Sequence, residues 1–472
     1  MIWDTQEPTA EHRRAYAEAT PQSFWDRSLS GPRRPAWEGT ASVDLCIVGG
    51  GFTGLWAAIE ALRRDPGREV MVLEGQRVGF GASGRNGGFV SASLTHGAEN
   101  GQAKFGAELE RLERLGLENF EAMAADLAEL GIECGFEQTG EVAFALEDHQ
   151  VAQLGESAEL LRRLGHAVDV LDGPAARAVA DSPTYLGAVW DRTGSGVLDP
   201  GALVAGLAAA AERLGARIYE TSAVDGVSAR GVGGVELRTA AVSVGAARAI
   251  DATGAYGPLT RSLRRYVLPI YDYALVTEPL SRPQLEAIGW EGRQGLTDLG
   301  NRFHYYRRID ADRILWGGYD AVYRYGGPVR PEMDQHEETF ARLSQHFFLT
   351  FPQLEGLCFS HRWGGAIDTC SRFAPFFGTG LGGALSYAAG YTGLGVGASR
   401  FGARVALDLL EPGGSELTAL DYVRRKPMPW PPEPLRYPLV QFTRSRLAAA
   451  DRRGRPGLWL RLLERLGLGF DS

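Results

Sequence analysis

The sequence has few cysteines and no long hydrophobic run. These features argue against a disulfide-rich protein, a cysteine metal site and a membrane-spanning protein. Its four cysteines, Cys46, Cys134, Cys358 and Cys370, lack CxxC or metal-ligand spacing, which is typical of reduced thiols in a cytoplasm. No stretch reaches the ~18 apolar residues of a membrane-spanning helix. The N-terminus lacks the positive charge and apolar core of a signal peptide. We therefore expect a cytoplasmic protein with no membrane partner.

An excess of positive charge is also missing. The chain has 49 basic and 58 acidic residues, a net charge of -9, which gives no electrostatic reason to expect a nucleic-acid or anionic-membrane partner, although a small local basic site stays open. No spaced histidine, cysteine or carboxylate cluster indicates a metal ion, and no nucleophile triad is present. With 472 residues, the chain exceeds what one hydrophobic core supports, so we expect at least two domains.

A glycine-rich turn follows the first clear strand, residues 43–48. A helical stretch and a second strand come next, which is half of a dinucleotide-binding unit. In this context Gly49 allows a tight turn, Gly51 leaves room for a pyrophosphate at the helix N-terminus, and Gly54 lets the helix pack on the strand. Glu74 ends the second strand, where a carboxylate accepts hydrogen bonds from ribose hydroxyls, which disfavours NADP. The alternative is an ordinary glycine turn with a solvent-facing glutamate.

Three further segments favour FAD over NAD: residues 79–88, 250–254 and 390–396. Each is rich in small residues, and the last begins a helix whose N-terminus would stabilise a reduced flavin. Taken singly, each is equally well explained as a glycine turn, and a purely structural role for the first loop stays open. The predicted cofactor-binding residues in these segments are Gly81, Ser83, Arg85, Asn86, Gly88, Gly254, Thr392, Gly393 and Gly395.

These motifs, together with the helix start at Asp199-Pro200, resemble the D-amino-acid oxidase superfamily of FAD enzymes, with most similarity to its gamma-glutamylputrescine oxidoreductase branch. The resemblance covers roughly residues 20–412. It implies an α/β fold (α+β overall), in which a Rossmann-like FAD-binding domain is roofed by a β-sheet substrate domain. It also implies oxidation of a C-N bond, by hydride transfer to flavin, to an imine that then hydrolyses.

The predicted domain division follows the same resemblance. It comprises an N-terminal arm (1–40), a discontinuous FAD-binding domain (41–98, 190–262 and 359–413), a substrate domain (99–189 and 263–358) and a C-terminal tail (414–472).

Three departures from the family pattern narrow the chemistry that the resemblance implies. Ile367 stands where glycine and D-amino-acid oxidases have an arginine that holds the substrate carboxylate, so a small amine is expected rather than a free amino acid. Trp316 matches the place of an oxygen-activating lysine, so the electron acceptor is O2 or another molecule. Gly365 matches a cysteine that anchors FAD covalently in a relative, so we expect noncovalent FAD.

The predicted catalytic residues are Tyr305, Arg307, Tyr319 and Trp363. The three aromatic rings suit a water-excluding wall that attracts a cationic amine. Period-2 alternation places Tyr305 and Arg307 on one strand face, where Arg307 would hold a distal anionic group of the substrate. Sheet-packing aromatics and a solvated arginine are the alternatives. A flavin-binding or assembly protein without amine turnover is the alternative function.

Overall fold

The computed structural model describes residues 2–4, 7–29, 31–231, 233–310 and 312–468; the last four residues of the predicted tail lie outside this range. The strands are β1 (Ala41–Val48), β2 (Val70–Leu73), β3 (Phe89–Ser91), β4 (Glu141–Ala145), β5 (Val168–Asp172), β6 (Gly187–Asp191), β7 (Ser195–Val197), β8 (Arg217–Tyr219), β9 (Val224–Arg230), β10 (Gly234–Thr239), β11 (Ser243–Asp251), β12 (Leu268–Thr277), β13 (Gly295–Asp298), β14 (His304–Ile309), β15 (Arg313–Gly318), β16 (Phe359–Thr369), β17 (Phe376–Gly380) and β18 (Leu385–Ala389). The helices are α1 (Ala10–Ala15), α2 (Phe52–Arg64), α3 (Ala98–Phe105), α4 (Leu109–Glu129), α5 (Asp148–Val151), α6 (Leu154–Arg163), α7 (Gly173–Val179), α8 (Pro200–Arg213), α9 (Arg261–Arg264), α10 (Arg282–Ile288), α11 (Glu337–Thr350), α12 (Gly395–Asp408), α13 (Asp421–Arg424), α14 (Arg436–Arg453) and α15 (Leu458–Arg465).

The first sheet is built around β1, whose inner residues are buried because helices pack on one face and a hydrophobic cluster that includes β10 lies on the other. The strand order is β17-β18-β11-β1-β2-β8, and β10 and β9 extend from β11. Four strand pairs are parallel: β1 with β2, β1 with β11, β2 with β8, and β11 with β18. Helices α2, α8 and α12 share a hydrophobic core on this sheet. The predicted strand-glycine-helix-strand unit is therefore confirmed as β1, α2 and β2.

The predicted helix start at Asp199-Pro200 is also confirmed. Pro200 is the first residue of α8, where its fixed backbone angle suits a helix and its missing N-H costs nothing. The Asp199 side chain accepts a hydrogen bond of 2.9 Å from the N-H of Ala202, which caps the helix.

The second sheet has the order β16-β12-β15-β14-β13-β4-β6-β5 and is antiparallel except between β13 and β4. One face packs on a second hydrophobic core that includes α11. The other face is directed toward the first sheet. Strand β16, which the predicted division gave to the FAD-binding segments, pairs with β12 over its length, from Phe359 opposite Thr277 to Thr369 opposite Leu268. The chain therefore returns to the first sheet only at β17.

The N-terminal segment is more than a surface arm. The 3-10 helix Phe24–Leu29 packs against α8, and Phe24 and Trp25 are buried. Trp25 donates from its indole N-H to the carbonyl of Asn86 at 2.8 Å. Periodicity did not indicate this contact because its two residues are distant in sequence. Within the described ranges, no helix is long and apolar enough to cross a membrane.

Candidate functional site

A cavity of about 1180 Å³ lies between the two sheets. The turns that follow β1, β2, β11 and β18 form one wall, so the cavity opens at the carboxyl ends of parallel strands, where open α/β sheets bind ligands. Residues of β12, β14 and β16 form the opposite wall. The volume exceeds the 300–1,000 Å³ typical of a pocket for one small ligand. A cofactor and a substrate therefore fit together.

The glycine turn after β1 has the predicted geometry. Gly49 has φ +113°, and a Cβ atom there would lie 2.6 Å from the carbonyl oxygen of Ala252. A Cβ atom on Gly54 would collide with the carbonyl oxygen of Gly49, so glycine is needed for α2 to approach β1. Gly49 and Gly51 line the cavity, whereas Gly54 acts behind it through packing. Ser83 accepts a hydrogen bond of 2.9 Å from the N-H of Phe52, at the start of α2.

Glu74 lines the cavity at the end of β2. Its two carboxylate oxygens accept hydrogen bonds from the N-H groups of Gly50, at 2.7 Å, and Gln76, at 2.8 Å. Burial raises the pKa of Glu74, and these backbone hydrogen bonds oppose that rise. The carboxylate is therefore held in a fixed position beside the glycine turn, as a dinucleotide ribose requires.

The loop at 79–88 is held by its own side chains. The Asn86 amide donates to the carbonyls of Ala82 and Ser83, both at 3.0 Å, and accepts from the N-H of Gly88 at 2.9 Å. Arg85 donates to Asp334 at 2.5 Å and to the Gly364 carbonyl at 3.0 Å, which ties the loop to the second sheet. Gly81, Ser83, Arg85 and Asn86 all line the cavity, whereas Gly88 does not.

The loop ends in two glycines, Gly87 and Gly88, for a structural reason that the sequence did not reveal. A Cβ atom on Gly87 would lie 2.7 Å from the Tyr305 ring, and one on Gly88 would lie 2.5 Å from the Arg307 guanidinium. Both glycines are needed because the loop lies directly on the face of β14. Their absent side chains make room for protein contacts as well as for a ligand.

The N-terminus of α12 forms another part of the same wall. Thr392 and Gly393 have φ values of +52° and +98°, and Thr392, Gly393 and Gly395 line the cavity. The 14 residues of α12 direct a positive dipole end toward this space. Gly254 lines the cavity nearby. Asp368 accepts a 2.7 Å hydrogen bond from the N-H of Gly390, and burial raises its pKa to about 6.

Tyr305, Tyr319 and Trp363 all line the opposite wall. The Tyr305 ring lies between Gly87 and Gly317, where a Cβ atom on Gly317 would come within 2.6 Å of it. Trp363 donates from its indole N-H to the Arg85 carbonyl at 2.9 Å, which fixes its orientation. These contacts make the wall rigid.

Asp272 on β12 is a site residue that the sequence reasoning missed. It lines the cavity and accepts a hydrogen bond of 2.6 Å from the Tyr305 hydroxyl. Burial raises the pKa of Asp272 to about 6, although the Tyr305 hydrogen bond opposes the rise. The available signal was an acid within the otherwise apolar strand β12. Within the described ranges, no arginine, lysine or histidine forms an ion pair with this carboxylate.

Arg307 lies on the same face of β14 as Tyr305, as alternation predicted, but it is not part of the cavity wall. It is 3% exposed, and it donates to the carbonyl of Leu198 at 2.5 Å. Burial lowers its pKa to about 9. Because the loop at Gly88 and the start of α8 cover this end of the strand, the hypothesis that Arg307 holds a distal anion is not retained.

Trp316 also lies away from the cavity. Its ring is buried in the second core, stacked at 4.7 Å on His304, on the face of β15 opposite the cavity. The neighbouring Gly317 is on the cavity side, beneath Tyr305. The identity of residue 316 therefore gives no information about oxygen use.

Comparison with known proteins agrees with this geometry. The FAD dependent oxidoreductase (DAO) family profile matches residues 44–409. The gamma-glutamylputrescine oxidoreductase of Escherichia coli is 31% identical over 416 residues, 87% of this chain and 93% of that protein. A probable oxidoreductase, OrdL, of Haemophilus influenzae is 28% identical over 84% of this chain and 89% of its own. The structure of glycine oxidase from Geobacillus kaustophilus superposes with a TM-score of 0.66 at 21% identity, covering 81% of this chain and 99% of that one.

Proposed function

Because the chain belongs to the FAD dependent oxidoreductase (DAO) family, we propose that it oxidises the C-N bond of a small amine that binds as a cation beside Asp272. Bound FAD supplies the two-electron oxidation. The supporting observation is the position of Asp272, a carboxylate within an aromatic wall that faces the glycine-rich wall across the cavity. Among the residues that the structure describes, none forms an ion pair with this carboxylate, which suits an ammonium ligand.

The chain's own residues have distinct roles in this proposal. Tyr305 holds the Asp272 carboxylate through its hydroxyl. Asp272 orients the ammonium group and accepts one of its protons, because only the neutral amine can give up a hydride. Tyr319 and Trp363 complete a wall that excludes water.

The residues on the other wall fit FAD. Glu74 would hold the adenosine ribose, the start of α2 the pyrophosphate, and the start of α12 the flavin edge. The cofactor is noncovalent in this proposal, since the described residues that line the cavity include no cysteine. The electron acceptor is O2 or another molecule.

The similarity to gamma-glutamylputrescine oxidoreductase supports an amine with an extended tail as the substrate. Ile367 lines the cavity, and its side chain cannot pair with the carboxylate of a free amino acid. We therefore favour an amine without a carboxylate on the reacting carbon.

Anaerobic mixing of the FAD-loaded protein with a panel of amines tests the proposal. Bleaching of the flavin absorbance by amines, and not by the corresponding alcohols, is the expected result. Asp272→Asn should lower the second-order rate of bleaching by about tenfold or more, since the ammonium loses its counter-charge. Asp169→Asn is the matched control, because Asp169 is exposed, pairs with Arg192 and does not line the cavity.

Two results would count against the proposal. If no amine bleaches the flavin, the protein binds the cofactor without amine turnover. If Asp272→Asn reacts as fast as the parent protein, the ammonium binds elsewhere.

A further inference from the structure

The C-terminal helices α14 and α15 follow the region that matches the family and form a two-helix unit. The inner side of α15 packs on α14, where Leu460 joins Leu447 and Ala450 in a small core. On α14, Val440 and Thr443 line the cavity between the sheets. The unit is therefore an outer wall of the candidate active site.

The outer side of α15 carries an exposed hydrophobic stripe. Leu458, Leu462 and Leu466 are 81%, 48% and 53% exposed. Their spacing of four residues places them on one side of the helix and its C-terminal cap. Of the twelve large hydrophobic residues exposed in the described ranges, six lie between positions 435 and 466. Exposed apolar surface is thus concentrated on this two-helix unit. Such a concentration is typical of a surface that binds a partner.

Positive charge borders the same stripe. Arg461 and Arg465 are exposed and lie beside the leucines on the helix surface. The segment 452–468 contains five arginines and a single acid, Glu464, whereas the whole chain has a net charge of -9. The unit is therefore a local basic patch on an acidic protein.

We propose that this unit docks on an anionic lipid surface, with the leucine stripe of α15 among the acyl chains and its arginines at the phosphate headgroups. Exposed leucines flanked by arginines are the pattern of helices that lie in the membrane interface. Anionic headgroups attract such arginines, and the acidic remainder of the chain is repelled, so only this unit faces the lipid. A second copy of the chain fits less well, because a two-fold contact through this surface would set the basic patch against itself.

Interfacial docking requires no membrane-spanning helix. The lack of membrane-spanning runs and the acidic charge of the whole chain led us to expect no membrane partner, but neither property describes one amphipathic helix. Because Val440 and Thr443 of α14 and Leu463 of α15 all line the cavity, docking would bring an outer wall of the candidate active site next to the lipid. The inference does not depend on which molecule is oxidised.

Sedimentation of the FAD-loaded protein with vesicles provides the test. We expect binding to vesicles of phosphatidylglycerol and phosphatidylcholine, with weaker binding to pure phosphatidylcholine and at high salt. The triple variant Leu458→Ser/Leu462→Ser/Leu466→Ser and the double variant Arg461→Glu/Arg465→Glu should each lower the partition coefficient by about tenfold or more. The matched controls alter exposed residues elsewhere, Val170→Ser/Leu186→Ser and Arg114→Glu/Arg282→Glu, and should bind like the parent.

Absence of binding to anionic vesicles at low salt would overturn the inference, as would an equal loss in the controls. Light scattering after size exclusion adds a second readout. Conversion of a dimer to a monomer by the leucine variant would show that another copy of the chain covers the stripe. That result would also overturn the lipid-docking inference. If the leucine variant loses flavin or unfolds, the arginine variant alone decides the outcome.

Discussion

The Tyr305 hydroxyl donates a hydrogen bond of 2.6 Å to Oδ2 of Asp272, across the intervening strand β15. The pair forms because β15 has a glycine at position 317, over which the tyrosine ring lies. Residues 33 positions apart in the chain thus form one unit on the cavity wall. The position and the pKa of the carboxylate both depend on Tyr305.

Replacing Tyr305 by phenylalanine should move the acid limb of the pH profile for amine oxidation upward. The hydrogen bond stabilises the charged carboxylate, so its loss raises the Asp272 pKa from about 6. We expect the midpoint of kcat/KM against pH to rise by about one pH unit. Tyr306→Phe is the control, because Tyr306 lies on the other face and bonds to Tyr185. An unshifted midpoint in Tyr305→Phe would assign the acid limb to another group.

Adding one methyl group at Gly317 should displace the Tyr305 ring, since the new Cβ atom would lie 2.6 Å from it. We expect Gly317→Ala to lower kcat/KM for the best amine by about tenfold or more, with FAD still bound. Gly155→Ala, which meets no atom within 4 Å, controls for the substitution itself. Full activity in Gly317→Ala would mean that the Tyr305–Asp272 pair tolerates movement.

Asp272→Asn should stabilise the folded protein at neutral pH. The folded pKa of about 6 lies above the unfolded value near 3.9, so the folded state binds more protons between these values. Stability therefore falls as pH rises through this window, and the full penalty is present above pH ~6. Asparagine removes the penalty, which we expect to be about 1–3 kcal/mol. Thermal unfolding at pH 8 and pH 4 checks this; an equal gain at both pH values would contradict it.

Loss of the Glu74 carboxylate should weaken FAD binding by roughly 1.5–3 kcal/mol, the contribution of charge-assisted hydrogen bonds. Glu74→Ala also removes the acceptor for the N-H groups of Gly50 and Gln76. Glu74→Gln, which keeps one acceptor oxygen, should therefore lose less affinity. Titration of the flavin-free protein with FAD measures both. Glu69→Gln, an exposed acid just before β2, should bind FAD normally.

Glycine and D-alanine should be poor substrates, because Ile367, which lines the cavity, cannot pair with their carboxylate. Their kcat/KM should be lower than that of the best amine by about a hundredfold, as expected for an unpaired buried charge. Steady-state assays with both compounds measure this ratio. Equal turnover would show that another residue replaces the missing arginine.

The dinucleotide unit was predictable because its determinants are local. A strand, a turn that needs glycine, a capped helix and an acid at the next strand end each leave a pattern within about 30 residues. Gly49, Gly54 and Glu74 therefore have the predicted surroundings. Alternation likewise placed Tyr305 and Arg307 on one strand face, because neighbouring strand residues always point to opposite sides.

The sequence by itself determined these periodic and short-range features, whereas the tertiary structure decided which of them reach the cavity. Arg307 has the predicted face, yet the loop at Gly88 covers it. Asp272 had no recognisable motif and became a site residue because β12, β15 and β14 are neighbours in the sheet. Strand β16 joined the second sheet through its pairing with β12. Strand order and burial arise from contacts between residues far apart in the chain, and no local pattern records them.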